Sequence, residues 1–205
     1  MHGIVSEILV VIHRLHIGGR FILGIDGLSR SGKTTLAEDL SVELLKAGKN
    51  VCVFHMDDHI VDRNKRYNTG HEPWYEYYAL QWDVEYLREN LFMKLRQSRE
   101  LTLNFYDDEL DQQFTKTVLI PDQCVIIVEG VFLQRSAWRE FLDYCVYLEC
   151  PREVRFARER ASVQAALEKF KTRYWKAEDH YLESVRPFAI ADMVVPAGPM
   201  EVRKL

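Results

Sequence analysis

Residues 24–35 read Gly24-Ile25-Asp26-Gly27-Leu28-Ser29-Arg30-Ser31-Gly32-Lys33-Thr34-Thr35, and they follow directly on an apolar run, Phe21-Ile22-Leu23. Glycines reach positive φ cheaply, so a stretch rich in them between a strand and a helix can curl until successive backbone N–H groups point inward and hold an anion. Residues 27–34 fit G-x-x-x-x-G-K-[ST], the phosphate-binding P-loop, in which the lysine reaches the β/γ-phosphates and the hydroxyl ligates Mg²⁺. Leu36, Leu40 and Leu44 then recur every four residues until Gly48. The loop therefore opens an amphipathic helix whose N-terminal partial positive charge favours phosphate. Gly27, Ser29, Ser31, Gly32, Lys33, Thr34 and Thr35 are the expected nucleotide contacts, Thr34 serving also as a metal ligand.

Outward from the loop, Val51–Phe54, Val125–Val128 and Tyr144–Leu148 repeat the strand-like pattern of Phe21–Ile25 and alternate with helical patterns. The expected fold is α/β, a parallel sheet with helices on both faces. Met193-Val194-Val195 reads as a last strand. Leu101–Tyr106 and Phe114–Ile120 form a hairpin-like excursion with the acidic turn 107–111 at its tip, and Ile4, Ile8, Val11, Ile12 and Leu15 suggest an amphipathic helix closed by Gly18-Gly19. No repeat or Ser/Gly/Pro-rich linker divides the 205 residues, which read as one domain.

Composition narrows the function. Apolar content of 47% with 28% charged residues is that of an ordinary globular chain, and no run approaches the roughly 18 apolar residues of a membrane helix. Cys52, Cys124, Cys145 and Cys150 lie in or beside apolar runs without a C-x-x-C pair, which points to free thiols in a reducing cytoplasm rather than to disulfides or zinc. Residues 151–176 carry eight Arg/Lys against three Glu, a net +5 within a chain of net charge −4, so one basic element faces an acidic body. It is either a cationic cover for a polyphosphate or a solvated, salt-bridged helix. Overall acidity and the lack of a recognition signature argue against a nucleic-acid partner.

In parallel sheets ligands gather at the carboxyl ends of strands, which selects Asp57 and Asp58 after the second strand and Glu129 after the run beginning at Val125. A carboxylate at a buried strand end needs a partner, and Mg²⁺ or its water shell is one for Glu129. With strand periodicity, Asp57 and Asp58 point to opposite sides, so one of them can face the phosphates as a general base or metal-water ligand. Tyr67, Trp74, Tyr75, Tyr77, Tyr78 and Trp82 could stack a base or pack as a hydrophobic flap. Asp83 precedes the stripe Val84, Leu87, Leu91 and Leu95 as a candidate N-cap. His55, His59, His71 and His180 lack metal-ligand spacing.

Taken together, Gly24–Thr35, Met56-Asp57-Asp58, Trp82-Asp83-Val84, Val128-Glu129-Gly130 and the tail residues Arg173-Tyr174, Ala177, Tyr181, Pro187 and Ala191-Asp192 resemble the uridine kinase and phosphoribulokinase-like group of P-loop kinases over about residues 20–196. The resemblance implies an ATP-dependent, Mg²⁺-requiring transfer of a phosphoryl group to a hydroxyl of a small, nucleoside-like acceptor, a vitamin precursor or sugar being the alternative. It casts Asp57 as catalytic base, Lys33 and Arg173 as catalytic cations, Asp83 as the residue holding a ribose diol, Tyr106 as an acceptor contact, Glu129 as Mg²⁺-associated and Arg158 as part of a basic helical lid over ATP. Residues 1–19 would then be an N-terminal helix, 58–120 acceptor-site insertions and 151–182 the lid region; self-association is left open. The chain departs from uridine-type members in two places. Their pyrimidine-reading histidine has Asp111 nearest its position, and no glycine occurs between Gly130 and Gly198 where their lid carries one. A GTPase-type switch is disfavoured, since D-x-x-G is absent and Asn64-Lys65 is followed by Arg66-Tyr67. A nucleotide-binding regulatory protein without catalysis is the remaining alternative.

Overall fold

Strands covered on both faces must be apolar nearly throughout, and the runs around residues 20–27 and 124–130 are buried at every position. The structure, a computed structural model, describes residues 2–16 and 18–197. In chain order the elements are α1 (His2–Leu15), β1 (Arg20–Gly27), α2 (Lys33–Lys46), β2 (Val51–His55), the short helices α3 (Arg63–Arg66), α4 (Pro73–Ala79) and α5 (Val84–Asn90), β3 (Glu100–Asp107), β4 (Gln112–Leu119), β5 (Cys124–Gly130), α6 (Ser136–Arg139), β6 (Tyr144–Glu149), α7 (Arg152–Ala157), α8 (Ala161–Gln164), α9 (Leu167–Lys169), α10 (Trp175–Ser184), α11 (Pro187–Ile190) and β7 (Met193–Pro196). A 3₁₀ turn at Met56–His59 and a wide, π-type turn at Phe170–Tyr174 join them.

Five strands pair in the order β2-β5-β1-β6-β7, all parallel, with helices on both faces. Side-chain alternation divides two cores across this sheet. Phe21, Leu23, Ile25, Val125 and Ile127 pack against Ile8 and Ile12 of α1 and Leu36 and Leu40 of α2. Ile22, Ile126 and Val128 face a larger, aromatic core containing Trp82, Phe92, Phe132, Trp138 and Tyr181. The hairpin β3–β4 forms a separate antiparallel pair, as its alternation suggests.

Most of the aromatic cluster is a packed flap. Tyr77 and Tyr78 meet Phe132 edge-on, Tyr77 meets Tyr174, and Trp82 meets both Phe132 and Trp138. Two rings, Tyr67 and Tyr77, also reach the large cleft. No helix among the described residues is long and apolar enough to cross a membrane.

At the end of β1 lies Asp26, fully buried and holding distant segments together. Its carboxylate accepts from the Gly27 amide (2.8 Å), the Leu133 amide (3.3 Å), Gln134 Nε2 (2.9 Å) and the Tyr181 hydroxyl (2.6 Å). Burial pushes its carboxyl above the usual range against the pull of these four donors. The Tyr181 hydroxyl also accepts from the Gln134 amide at 3.0 Å. Tyr181→Phe thus strips one donor from a buried carboxylate and orphans a buried N–H. We expect a loss of about 1–3 kcal/mol in urea unfolding; an unchanged midpoint would remove this network from the account of stability.

Candidate active site

The loop after β1 closes on itself because its glycines allow it. Gly27 has φ 153°, and a Cβ there would fall 2.7 Å from Ser31 Oγ and 2.9 Å from the Leu148 carbonyl. Gly32, at φ 103°, starts α2 in a left-handed conformation. Lys33 is nearly buried and donates from Nζ to the Leu28 carbonyl across the loop at 3.1 Å. Burial pushes its ammonium below the usual lysine range, against the pull of Glu129, Asp57 and Asp26. Ser31 Oγ is buried without a hydrogen-bond partner, an acceptor and donor waiting for a ligand atom.

Glu129, at the end of β5, accepts from Thr34 Oγ1 (3.0 Å) and shares a 2.7 Å hydrogen bond with His55 Nδ1. Burial opposes its ionisation, but the His55 hydrogen bond and the Lys33 charge together hold the carboxyl below the usual range. His55 is raised in turn, chiefly by that hydrogen bond. The hydroxyl of Thr34 and the carboxylate of Glu129 therefore meet beside Lys33. They form a hard-oxygen pair of the kind Mg²⁺ takes together with phosphate oxygens and water. No cluster of three or more His, Cys, Asp or Glu side chains fit to hold a metal occurs among the described residues.

The expectation that Asp57 and Asp58 alternate on a strand is corrected. β2 ends at His55, and both aspartates lie on the 3₁₀ turn Met56–His59 and line the same cleft. Two contacts fix that turn. The Trp82 Nε1 donates to the Met56 carbonyl at 2.8 Å, and the bare Cα of Gly130 admits Met56, where a Cβ would lie 2.6 Å from the Met56 side chain. Asp57 is exposed toward the cleft, with the protein packed around its base. Desolvation by the surrounding protein pushes its carboxyl above the usual range in spite of the nearby Lys33 charge, a direction that favours its taking a proton.

A cleft of about 1560 Å³ joins these groups. Gly32, Lys33, Thr34, Thr35, Ser29 and Ser31 line one end, and Asp57, Glu129, Arg158 and Tyr106 are also on its walls. Gly27 contributes backbone beneath the loop rather than wall. Arg158 donates to the Arg30 carbonyl at 2.8 Å, so it sits on the P-loop's outer side.

Two assignments change. Asp83 is exposed and caps α5, accepting from the Tyr86 amide at 3.0 Å, and it does not line the cleft. Its hydrogen-bonding capacity goes to a helix end rather than to a ligand. Arg173 is likewise no free lid arginine: it is buried, donating to Glu76 Oε2 (2.9 Å), the Pro73 carbonyl (3.2 Å) and the Arg66 carbonyl (3.0 Å). The basic segment as a whole is largely neutralised by carboxylates of the protein, several of them from α4 and α10. Arg152 pairs with Asp179, Arg155 with Glu178, Lys171 with Glu168 and Lys176 with Glu72. Arg155, which also donates to the Ser29 carbonyl at 3.1 Å, thereby braces the P-loop from behind. Neither this brace nor Asp26 carries a sequence signal of its own, because each depends on partners from distant parts of the chain.

The sequence matches the phosphoribulokinase / uridine kinase family over residues 22–202, most of its length. The chain belongs to that family. It is 26% identical over 192 residues to a uridine kinase of Macrococcus caseolyticus, covering 86% of this chain and 88% of that one. A Bacillus subtilis uridine kinase is 24% identical over 191 residues, with 86% of each chain covered. A solved structure described as a possible uridine kinase from Bacillus stearothermophilus is 52% identical, covers 93% of this chain and 96% of its own, and superposes with a TM-score of 0.83. As a member, the chain is an ATP-dependent kinase of the P-loop class acting on a small molecule.

The reassignment of Arg173 is open to measurement. Removing it leaves Glu76 charged and buried, so Arg173→Ala should cost about 3–5 kcal/mol in chemical denaturation. Arg173→Met combined with Glu76→Leu should recover much of that loss. Full stability with collapsed turnover would instead return Arg173 to direct contact with nucleotide.

Proposed function

We propose that this chain transfers the γ-phosphoryl group of ATP to a hydroxyl of a small acceptor, with Asp57 as the general base. The observation that carries the reading is the meeting of P-loop and carboxylates in one cleft: Lys33, Thr34, Glu129 and Asp57 come from three different elements and interact with one another.

The residues suit a triphosphate and Mg²⁺. The unpartnered Ser31 Oγ, the Gly27 cradle and the α2 N-terminus offer donors to phosphate, and Thr34 with Glu129 would hold the metal. Bound there, Mg²⁺ supplies charge neutralisation and orientation of the phosphates. Lys33 gives up its bond to the Leu28 carbonyl and turns its charge to the phosphates. Asp57 takes the proton from the acceptor hydroxyl, and its raised proton affinity brings that transfer closer to balance near neutral pH. Arg158 supplies positive charge on the cleft wall, and no carboxylate is ion-paired with it among the described residues. The segment 151–182 covers the nucleotide as a lid whose own ion pairs hold it together.

The uridine kinase relatives suggest a nucleoside acceptor. That reading has lost Asp83, the residue expected to grip a ribose diol, and keeps Tyr106, whose hydroxyl is engaged with Asp111 (2.8 Å) and Arg66 (3.0 Å). Acceptor-dependent ADP release across nucleosides, vitamin precursors, sugars and their acidic derivatives decides among acceptors.

Asp57→Asn should lower kcat by about 10²- to 10⁴-fold with ATP affinity nearly intact, the usual contribution of a positioned base. Asp58→Asn should be far milder. Lys33→Ala should weaken ATP binding measured by calorimetry. Loss of ATP binding rather than rate in Asp57→Asn would make that carboxylate a metal-shell group, and unchanged ATP affinity in Lys33→Ala would sink the P-loop reading.

A further inference from the structure

A guanidinium taken out of water needs a counter-charge or a set of other acceptors, and two of the five buried arginines among the described residues have a carboxylate. Arg155 is paired with Glu178 and Arg173 with Glu76, both in direct contact. Arg66 is different. It is 5% exposed, it lines the cleft, and no carboxylate touches it among the described residues. Its Nε donates to the Val61 carbonyl at 2.7 Å and its Nη2 to the Tyr106 hydroxyl at 3.0 Å, while the guanidinium lies over the Tyr67 and Tyr106 rings at 5.1 and 5.2 Å. Nη1 has no protein acceptor and is not sealed off. The nearest acid along the network, Asp111, is reached only through the Tyr106 hydroxyl, and it is already committed to the Arg63 amide at 2.9 Å.

A second group points the same way. Gln81, 9% exposed, also lines the cleft, and its Oε1 is buried without a hydrogen-bond partner. Its amide nitrogen has no hydrogen-bond acceptor among the described residues either. Val61 ties both residues to one segment: its amide donates to the Gln81 backbone carbonyl at 3.0 Å, and its carbonyl accepts from Arg66. The cleft is thus lined by a cation without a carboxylate partner and by an unpartnered amide, both residues tied to Val61. Such a pair is costly to keep buried unless a ligand completes it.

We propose that the phosphoryl acceptor carries an anionic oxygen group, a carboxylate or a phosphate monoester, bound by Arg66 together with Gln81, while a hydroxyl elsewhere on the same molecule meets Asp57. The inference rests on the kinase reading. The transfer keeps its balance: the hydroxyl proton passes to Asp57, the new O–P bond forms at the γ-phosphorus, and the bond to the bridging oxygen of ADP breaks. Arg66 fixes the acceptor by its charged end and takes no part in bond making. Planar, forked donors suit both oxyanions.

The test uses matched probes that differ in charge: glycerate against glycerol, gluconate against glucose, ribose 5-phosphate against ribose, and uridine as the neutral nucleoside. ADP release is measured with each, and each is titrated by calorimetry onto the whole protein with a non-hydrolysable ATP analogue. The expected result is binding and turnover of an anionic member over its neutral counterpart, the carboxylate or the phosphate pairs showing which oxyanion is used. Arg66→Gln should raise KM for that probe about ten- to a hundred-fold with a smaller change in kcat and none in ATP affinity, and Arg66→Lys should recover part of the loss. Binding of uridine or another neutral probe in preference to every acid, or an Arg66→Gln effect equal for charged and neutral probes, overturns the inference and leaves the kinase intact. Absence of binding by every anionic probe also overturns it. The kinase reading fails separately, by ATP that binds but is never turned over with any acceptor.

Discussion

Everything at the business end of this sheet is referred to one buried carboxylate. Asp26 ends β1 and collects donors from the P-loop, from the segment after β5 and from α10, segments that lie 107 to 155 residues away in the latter two cases. Because the strand is central and parallel, no water reaches the carboxylate, and its lone pairs must be met by protein. The P-loop therefore cannot be positioned without the chain beyond β5 being in place. The same arrangement brings Tyr181, and hence the helix behind the basic segment, into register with the phosphate end of the cleft. A single acidic group thus couples the loop to the elements that complete the site around it.

Charge is distributed with economy in the two halves of the cleft. In the nucleotide half the arginines are mostly neutralised before any ligand arrives: Arg155 by Glu178, Arg30 by Glu159, with Arg158 donating to a backbone carbonyl. Such pairs shape the walls but offer little free charge, which leaves Lys33 and the α2 N-terminus as the main attraction for phosphate. Lys33 itself is balanced between burial and three carboxylates. In the half proposed for the acceptor the balance reverses: Arg66 has no carboxylate partner among the described residues and lies over the Tyr67 and Tyr106 rings.

Local pattern reached the P-loop, the strands and the hairpin because each is a short-range property: glycine spacing, apolar runs and alternation survive in any context. Strand ends moved by at most two residues, Phe21–Ile25 extending to Arg20–Gly27, since burial rather than propensity ends a strand in a covered sheet. The strand order was not readable, because β5 inserts between β1 and β2 from a hundred residues downstream. Period-two reasoning failed at Asp57 and Asp58 because Trp82 and Gly130 draw Met56 into a turn one residue earlier. Motif likeness failed at Arg173 for a related reason. An arginine in a basic run looks available until its carboxylate partner, Glu76, is located 97 residues away.

That ion pair joins the wide turn at Phe170–Tyr174 to α4, which carries Tyr77 of the acceptor wall. Lys176 and Glu72 add a second tie at the start of α4, and the Tyr77 and Tyr174 rings meet edge-on between them. Cover and acceptor wall are consequently one mechanical body rather than two flaps. If the segment acts as the proposed lid, its displacement carries α4 with it, and occupation of either half of the cleft then changes the shape offered to the other. Donor and acceptor then bind with thermodynamic linkage, each raising or lowering the affinity of its partner by the same factor.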